Sequence, residues 1–190
     1  MRAVSLLACI ALAGCASSGS STAGGPAVAS GPRESTTTVE TISDAGTVEL
    51  RSVRSDPTAS FAIAAPPDAV WRALTSVYSD LDLSVTVLDT QGRRLGVENV
   101  RVRRRLGGER LSRYLTCGER MGQPIAESDD INLTLYTQVV PAAGGSGSTL
   151  RTLLEATAKQ TAAGGSLINC ATTGALERRI VDMVKAQTAG

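Results

Sequence analysis

The strongest pattern in the chain lies at residues 131–139. Ile131, Leu133, Leu135, Thr137 and Val139 alternate there with Asn132, Thr134, Tyr136 and Gln138. An apolar residue at every second position is the mark of a half-buried β-strand. The glycine-rich stretch 141–148 reads as a hairpin loop, and residues 150–159 return with Leu154, Ala156 and Ala158 on one face. Upstream, Phe61-Ala62-Ile63-Ala64 reads as a strand ended by Pro66-Pro67-Asp68, which opens a helix. On that helix Val70, Leu74, Val77, Tyr78 and Leu81 fall on one face. Trp71 stands beside that stripe, as a packing residue or as a ring turned toward a ligand.

Leu83, Val85 and Val87 predict a further strand, and Asp89-Thr90-Gln91-Gly92 a turn. The returning strand holds Leu95 and Val97 inward, then Val100 and Val102. That change of parity predicts a bulge near Glu98-Asn99, because one extra residue exchanges the two faces. Gly107-Gly108 interrupts the run. Residues 109–114 read as a short helix or turn, and 118–130 as a polar loop. Leu176, Ile180, Met183 and Val184 predict a closing helix, with Glu177 in its first turn and Lys185 in its last, as the helix dipole favours. Residues 47–53 alternate as a short edge strand. The order is strand, helix, several antiparallel strands, helix. It predicts an α+β domain in which a curved antiparallel sheet packs against an N-terminal and a long C-terminal helix.

The first residues follow another pattern. Arg2 leads into an apolar run that ends at Leu12, too short to stay in a bilayer as a spanning helix, and so reads as a secretory signal. The sequence Leu12-Ala13-Gly14-Cys15 resembles the lipobox of bacterial lipoproteins. The resemblance implies a signal peptide over 1–14, cut before Cys15, and a Cys15 thiol that carries diacylglycerol. The alternative is an ordinary signal cut nearby, which leaves Cys15 free. Ala16 and Ser17 follow, with no Asp. By the same resemblance to Gram-negative lipoproteins, that favours the outer membrane, facing the periplasm. Residues 15–46 are then the lipidated cysteine and a disordered tether of Ser, Thr, Gly, Ala and Pro, with a root-mean-square span of about 30 Å. Residues 47–187 form the globular domain.

Composition removes several function classes. There is no histidine in the chain, which excludes Ser-His-Asp and Cys-His catalysis and histidine metal ligands. No catalytic or metal-binding set and no cofactor is expected. The chain has 18 acidic residues and, once Arg2 is lost, as many basic ones. A neutral total offers no general attraction to nucleic acid, and no stacking aromatics are interleaved with the arginines. With aromatics at 3 %, the core must come from Val, Leu, Ile and Ala. Cys9 leaves with the signal and Cys15 takes the lipid. Cys117 and Cys170 remain, an even pair in an exported, oxidising compartment, and are expected to form a disulfide rather than two buried thiols.

The run Phe61-Ala62-Ile63-Ala64-Ala65-Pro66-Pro67-Asp68-Ala69-Val70-Trp71-Arg72-Ala73-Leu74 resembles the opening of helix-grip domains. These include START-like lipid-binding domains and the domains of BamC-type barrel-assembly lipoproteins. With the lipobox and tether, the chain is more similar to the BamC type, although that type carries two such domains and this chain has length for one. Two functions follow as expectations. The first is a non-enzymatic, membrane-anchored lipoprotein that binds protein or other envelope components. The second is a carrier that holds a lipid or other apolar small molecule in a helix-grip cavity. A cavity above ~300 Å³ between sheet and terminal helix would mark the carrier. A filled interior with an exposed patch would mark the binding protein.

One charged segment is a candidate surface for such binding. Residues 93–120 hold nine arginines against three glutamates. Strand alternation places Arg101, Arg103 and Arg105 in one outward row, suited to phosphates of lipid or lipopolysaccharide or to an acidic partner. The same row would also serve as a solvated face that discourages edge pairing, with Glu127, Asp129 and Asp130 near in sequence to neutralise it. Those three acids lack the ligand spacing of a calcium loop and read as turn carboxylates.

Overall fold

The alternating segment forms the middle of the sheet. The computed structural model describes residues 57–159 and 167–189 in full and the backbone of 34–43 and 46–55. The leader and Cys15 lie outside the described residues. The described part begins with a hairpin of β1 (Glu34–Ser43) and β2 (Gly46–Ser55), then β3 (Thr58–Ile63) and α1 (Pro67–Asp80). β4 (Val87–Asp89) and β5 (Arg94–Arg103) follow. Short pieces come next: β6 (Arg105–Leu106), β7 (Glu109–Arg110), a 3-10 turn (Leu111–Arg113), β8 (Leu115–Thr116), β9 (Glu119–Arg120), β10 (Gln123–Pro124) and α2 (Ile125–Ser128). The chain closes with β11 (Asp130–Pro141), β12 (Ser148–Lys159), β13 (Leu167–Thr172) and α3 (Ala175–Thr188).

Seven strands make one antiparallel sheet in the order β4-β5-β11-β12-β13-β8, with β3 also on β12. β3 pairs with residues 148–153 of β12 and β13 with residues 156–159, so the two share one edge of a long strand. The α+β architecture is as expected, a curved sheet with α1 and α3 against one face. Ile131, Leu133, Leu135, Leu150, Leu154, Leu95 and Val97 point from the sheet into this layer. Val70, Leu74 and Val77 of α1 and Leu176, Ile180 and Val184 of α3 meet them, all fully buried. Each such side chain contributes roughly 1.5–3 kcal/mol by leaving water. Trp71 is partly buried and packs against this core. The Tyr78 hydroxyl crosses the layer to donate to the Leu135 carbonyl at 3.4 Å and accepts from Thr137 at 3.3 Å. Burial pushes its pKa far up, so it stays protonated.

The bulge lies where the change of parity placed it. Leu135 pairs with Val97 and Leu133 with Val100, leaving Glu98 and Asn99 opposite Thr134. Asn99 takes the left-handed conformation (φ 50°), and its N–H donates to the Thr134 hydroxyl at 3.2 Å. Asn tolerates this region better than most side chains.

Three expectations differ from the structure. The strand expected from Leu83 begins only at Val87. Leu83 instead ends the helix: its N–H reaches back to the Tyr78 carbonyl at 2.9 Å, while Asp82, left-handed at φ 58°, bonds Ser79. This is a Schellman stop with Asp in the usual glycine place. Secondly, the expected polar loop 118–130 contains β9, β10 and α2. With β6 to β8 it makes a lobe, residues 104–129, whose Leu106, Leu111, Tyr114, Leu115, Ile125 and Ala126 are buried and join the main core. Its apolar residues are too irregularly spaced to show a period. Thirdly, β1 occupies the end of the segment expected as tether. It pairs with β2 in register from Glu34 opposite Ser55 to Ser43 opposite Gly46. Its run of threonines favours extended backbone.

Candidate functional site

The arginine-rich segment resolves into local ion pairs. Arg101 and Arg103 both reach Asp130, Arg103 at 3.8 Å. Arg101 beside Asp130 holds that carboxyl below its ordinary value. Arg110 pairs with Glu127 at 3.4 Å and Arg113 with Glu109 at 3.1 Å. Arg120 forks onto buried Asp129 with contacts of 2.8 and 3.0 Å. The three acids thus go to separate arginines and do not converge. The expected outward row holds for Arg101 and Arg103 but loses Arg105. Arg104 takes φ 62° and turns the chain, so Arg105 sits in β6 and donates to the Gly108 carbonyl at 2.7 Å. Alternation along a strand predicts faces only while the strand continues.

Cys117 and Cys170 form the expected disulfide, with an S–S distance of 2.02 Å and Cα atoms 4.2 Å apart. Thr116 pairs with Ala171, so the two cysteines stand opposite each other one step further along. The bond fastens the lobe to the sheet edge just before α3.

A cleft of about 820 Å³ lies between the lobe and the outer side of α3. Tyr114 and Arg113 line it from the lobe, and Arg178, Arg179, Met183 and Ala186 from the helix. Arg179 holds the wall together: one nitrogen reaches the Tyr114 hydroxyl and another donates to the Gly107 carbonyl at 2.8 Å. Gly107 has φ 54°, and a Cβ there would fall 2.8 Å from Leu81. Only glycine lets the lobe settle against the end of α1 and offer that carbonyl. Arg178 donates to the Thr173 carbonyl at 3.3 Å. Arg178 and Arg179 therefore rest on neutral oxygens, and neither forms an ion pair among the described residues. The cleft offers two fixed guanidiniums over the apolar atoms of Met183 and Ala186, with Glu109 and Asp182 also in its lining. Such a surface suits recognition of an anionic group with an apolar neighbour.

The chain matches no protein-family model and no curated protein. Its function is therefore argued from its own geometry.

Sequence reasoning did not single out this cleft. The only signal was Arg178-Arg179 on the polar side of a helix whose apolar stripe was plain. Their partner Tyr114 lay in a segment with no readable period.

Glu177 lies in the first turn of α3 and Lys185 in the last, as expected. Glu177 is also fully buried. Thr172 donates to its Oε1 at 2.7 Å, while Oε2 has no hydrogen-bond partner among the described residues. Burial raises its pKa above the ordinary glutamate value. The folded chain then holds this proton more tightly than the unfolded chain does. The stability involved is fully present below the ordinary glutamate pKa and is lost as pH rises through the raised one. Glu177→Gln should keep the Thr172 bond and remove this loss, so the variant gains on the parent as pH rises. Urea midpoints of both proteins from pH 4 to 9 check this. Parallel curves would contradict it.

Proposed function

We propose that this is a lipid-anchored, non-enzymatic protein of the bacterial envelope. It is held in the outer membrane through Cys15, and its domain binds a protein partner at the cleft between α3 and the lobe. The observation that carries this reading is the contrast between inside and outside. The layer between helices and sheet is filled by side chains with no exposure, Leu74, Leu135, Ile180 and Val184 among them. The large concavity lies outside, under two arginines that form no ion pair among the described residues. A carrier of the START-like type would need its space between α3 and the sheet, where packed apolar atoms stand. The helix-grip likeness and the lipobox together favour a BamC-like accessory role in an envelope complex.

A photo-crosslinking residue at Ala186, in the cleft, tests this in intact envelopes, with one at exposed Thr75 of α1 as control. The expected result is a discrete protein adduct from position 186, absent from position 75 and reduced at least tenfold by Arg178→Glu. No adduct from the cleft, together with a lipid that co-purifies one per chain, would overturn the reading.

A further inference from the structure

The sheet face turned away from the helices carries its side chains in rungs across β5, β11 and β12. The register sets Arg94, Gln138 and Arg151 side by side in one rung, and Gly96, Tyr136 and Leu153 in the next. Residues directly opposite in an antiparallel pair share a face, and neighbouring strands lie about 4.8 Å apart. The two arginines thus stand on the same face, roughly 10 Å apart at the backbone, with Gln138 between them.

The next rung fixes one of them. A Cβ on Gly96 would lie 2.5 Å from the Tyr136 ring, so the missing side chain is what lets the ring lie over β5. The Arg94 guanidinium stands over that ring, 5.6 Å from its centre. Such stacking orders a long cationic side chain on an open surface. Gln138 is tied down as well, its amide donating to the Gly92 carbonyl at 3.2 Å. A hollow of about 200 Å³ lies among Arg94, Arg151, Gln138, Tyr136 and Leu153.

Neither Arg94 nor Arg151 forms an ion pair among the described residues. Burial raises the Tyr136 pKa, and the near acids, Glu98 and Glu155, act on its hydroxyl end to the same effect. Glu98 and Glu155 flank Thr134, two rungs from the arginines. At about 3.4 Å per residue that is roughly 13 Å along the backbone. Both guanidiniums are thus left without a carboxylate contact among the described residues.

We propose that this hollow is a binding site for a single phosphoryl group, held between Arg94 and Arg151. Each guanidinium presents a fork that takes two oxygens. A carboxylate has only two oxygens, enough to fill one fork or, as at Asp130, to give two arginines a single contact each. A phosphoryl group has at least three terminal oxygens and can engage both. The volume is below that of a drug-sized pocket, so the site takes the charged group and a few neighbouring atoms, with Leu153 and the Tyr136 ring beside them. This site is on the opposite face of the sheet from α3 and does not depend on the reading of the cleft.

Titration calorimetry on the full chain in non-ionic detergent tests it, with ionic strength held constant by chloride. Inorganic phosphate and glycerol 3-phosphate are the two ligands, and acetate is the comparison. Saturable one-to-one binding of phosphate, at least tenfold tighter than acetate, is expected. Arg94→Gln and Arg151→Gln should each weaken it tenfold or more, while Arg72→Gln, at an exposed position of α1 outside both sites, leaves it unchanged. Both arginines are exposed, and unchanged melting curves would show that the variants fold. Equal or tighter binding of glycerol 3-phosphate supports a phosphate ester as the natural source, and binding of inorganic phosphate alone supports the free ion. No saturable binding to the parent protein, no preference over acetate, or binding that survives both substitutions would overturn the proposal.

Discussion

Replacing both cysteines, as Cys117→Ser with Cys170→Ser, is expected to lower stability by up to about 4 kcal/mol. The bond joins positions 53 residues apart, and in the chain-entropy model a loop of that length confines the unfolded chain by about this amount. For a chain of this size each kcal/mol moves the melting temperature by roughly 2–4 °C, so a fall of roughly 8–16 °C should follow. The effect should also be local. The lobe meets the sheet edge through the short β8–β13 pairing, so losing the bond should loosen Tyr114 and the cleft wall it shares with Arg179. Hydrogen exchange should then rise first in residues 104–129, ahead of β11 and β12. Thiol labelling of the unfolded, unreduced parent should find neither cysteine free. A double variant that melts with the parent, or full labelling of both thiols, would contradict this account.

Ile180→Ala should cost about 2–5 kcal/mol, as large-to-small changes in a packed core do. Ile180 is fully buried on the face of α3 that meets α1 and the sheet. It belongs to the same buried core as Val70, Leu74 and Val77 of α1. The hole would therefore stay largely unfilled. Met183, half-buried at the edge of the stripe, should lose less on the same change. The comparison bears on function, because a helix roofing an open ligand cavity already lacks neighbours on that side and would lose little. Denaturant unfolding of both variants measures the difference. A loss below about 1 kcal/mol for Ile180→Ala would argue for an unfilled interior.

Much of the fold could be read from the sequence, wherever one physical rule acted over several residues. Alternation at 131–139 gave the central strand, and the Val70–Leu81 stripe gave α1. Val97 and Val100 gave the bulge, because a change of face has no other simple cause. The disulfide followed from parity of cysteines and compartment. Reading failed where a single backbone angle decided the path. Left-handed Asp82 turned Leu83 into a helix stop, and left-handed Arg104 removed Arg105 from its row. Both are residue types in which such angles are unforeseeable without the tertiary contacts around them. The cleft escaped notice because its wall joins Arg179 to Tyr114 and Gly107, 65 and 72 residues earlier. The place of Glu177 in the first turn was legible, but its burial was not, since burial of a carboxyl there leaves no trace in spacing. The two-arginine rung emerged only when register placed Arg94 and Arg151 on either side of Gln138.

Mass spectrometry of the protein isolated from its native membranes addresses the anchored-domain reading most directly. The account predicts a chain that starts at Cys15, lacks residues 1–14, and carries a thioether-linked diacylglycerol on that cysteine. A chain that still begins at Met1, recovered from the soluble fraction with an unmodified Cys15, would contradict it.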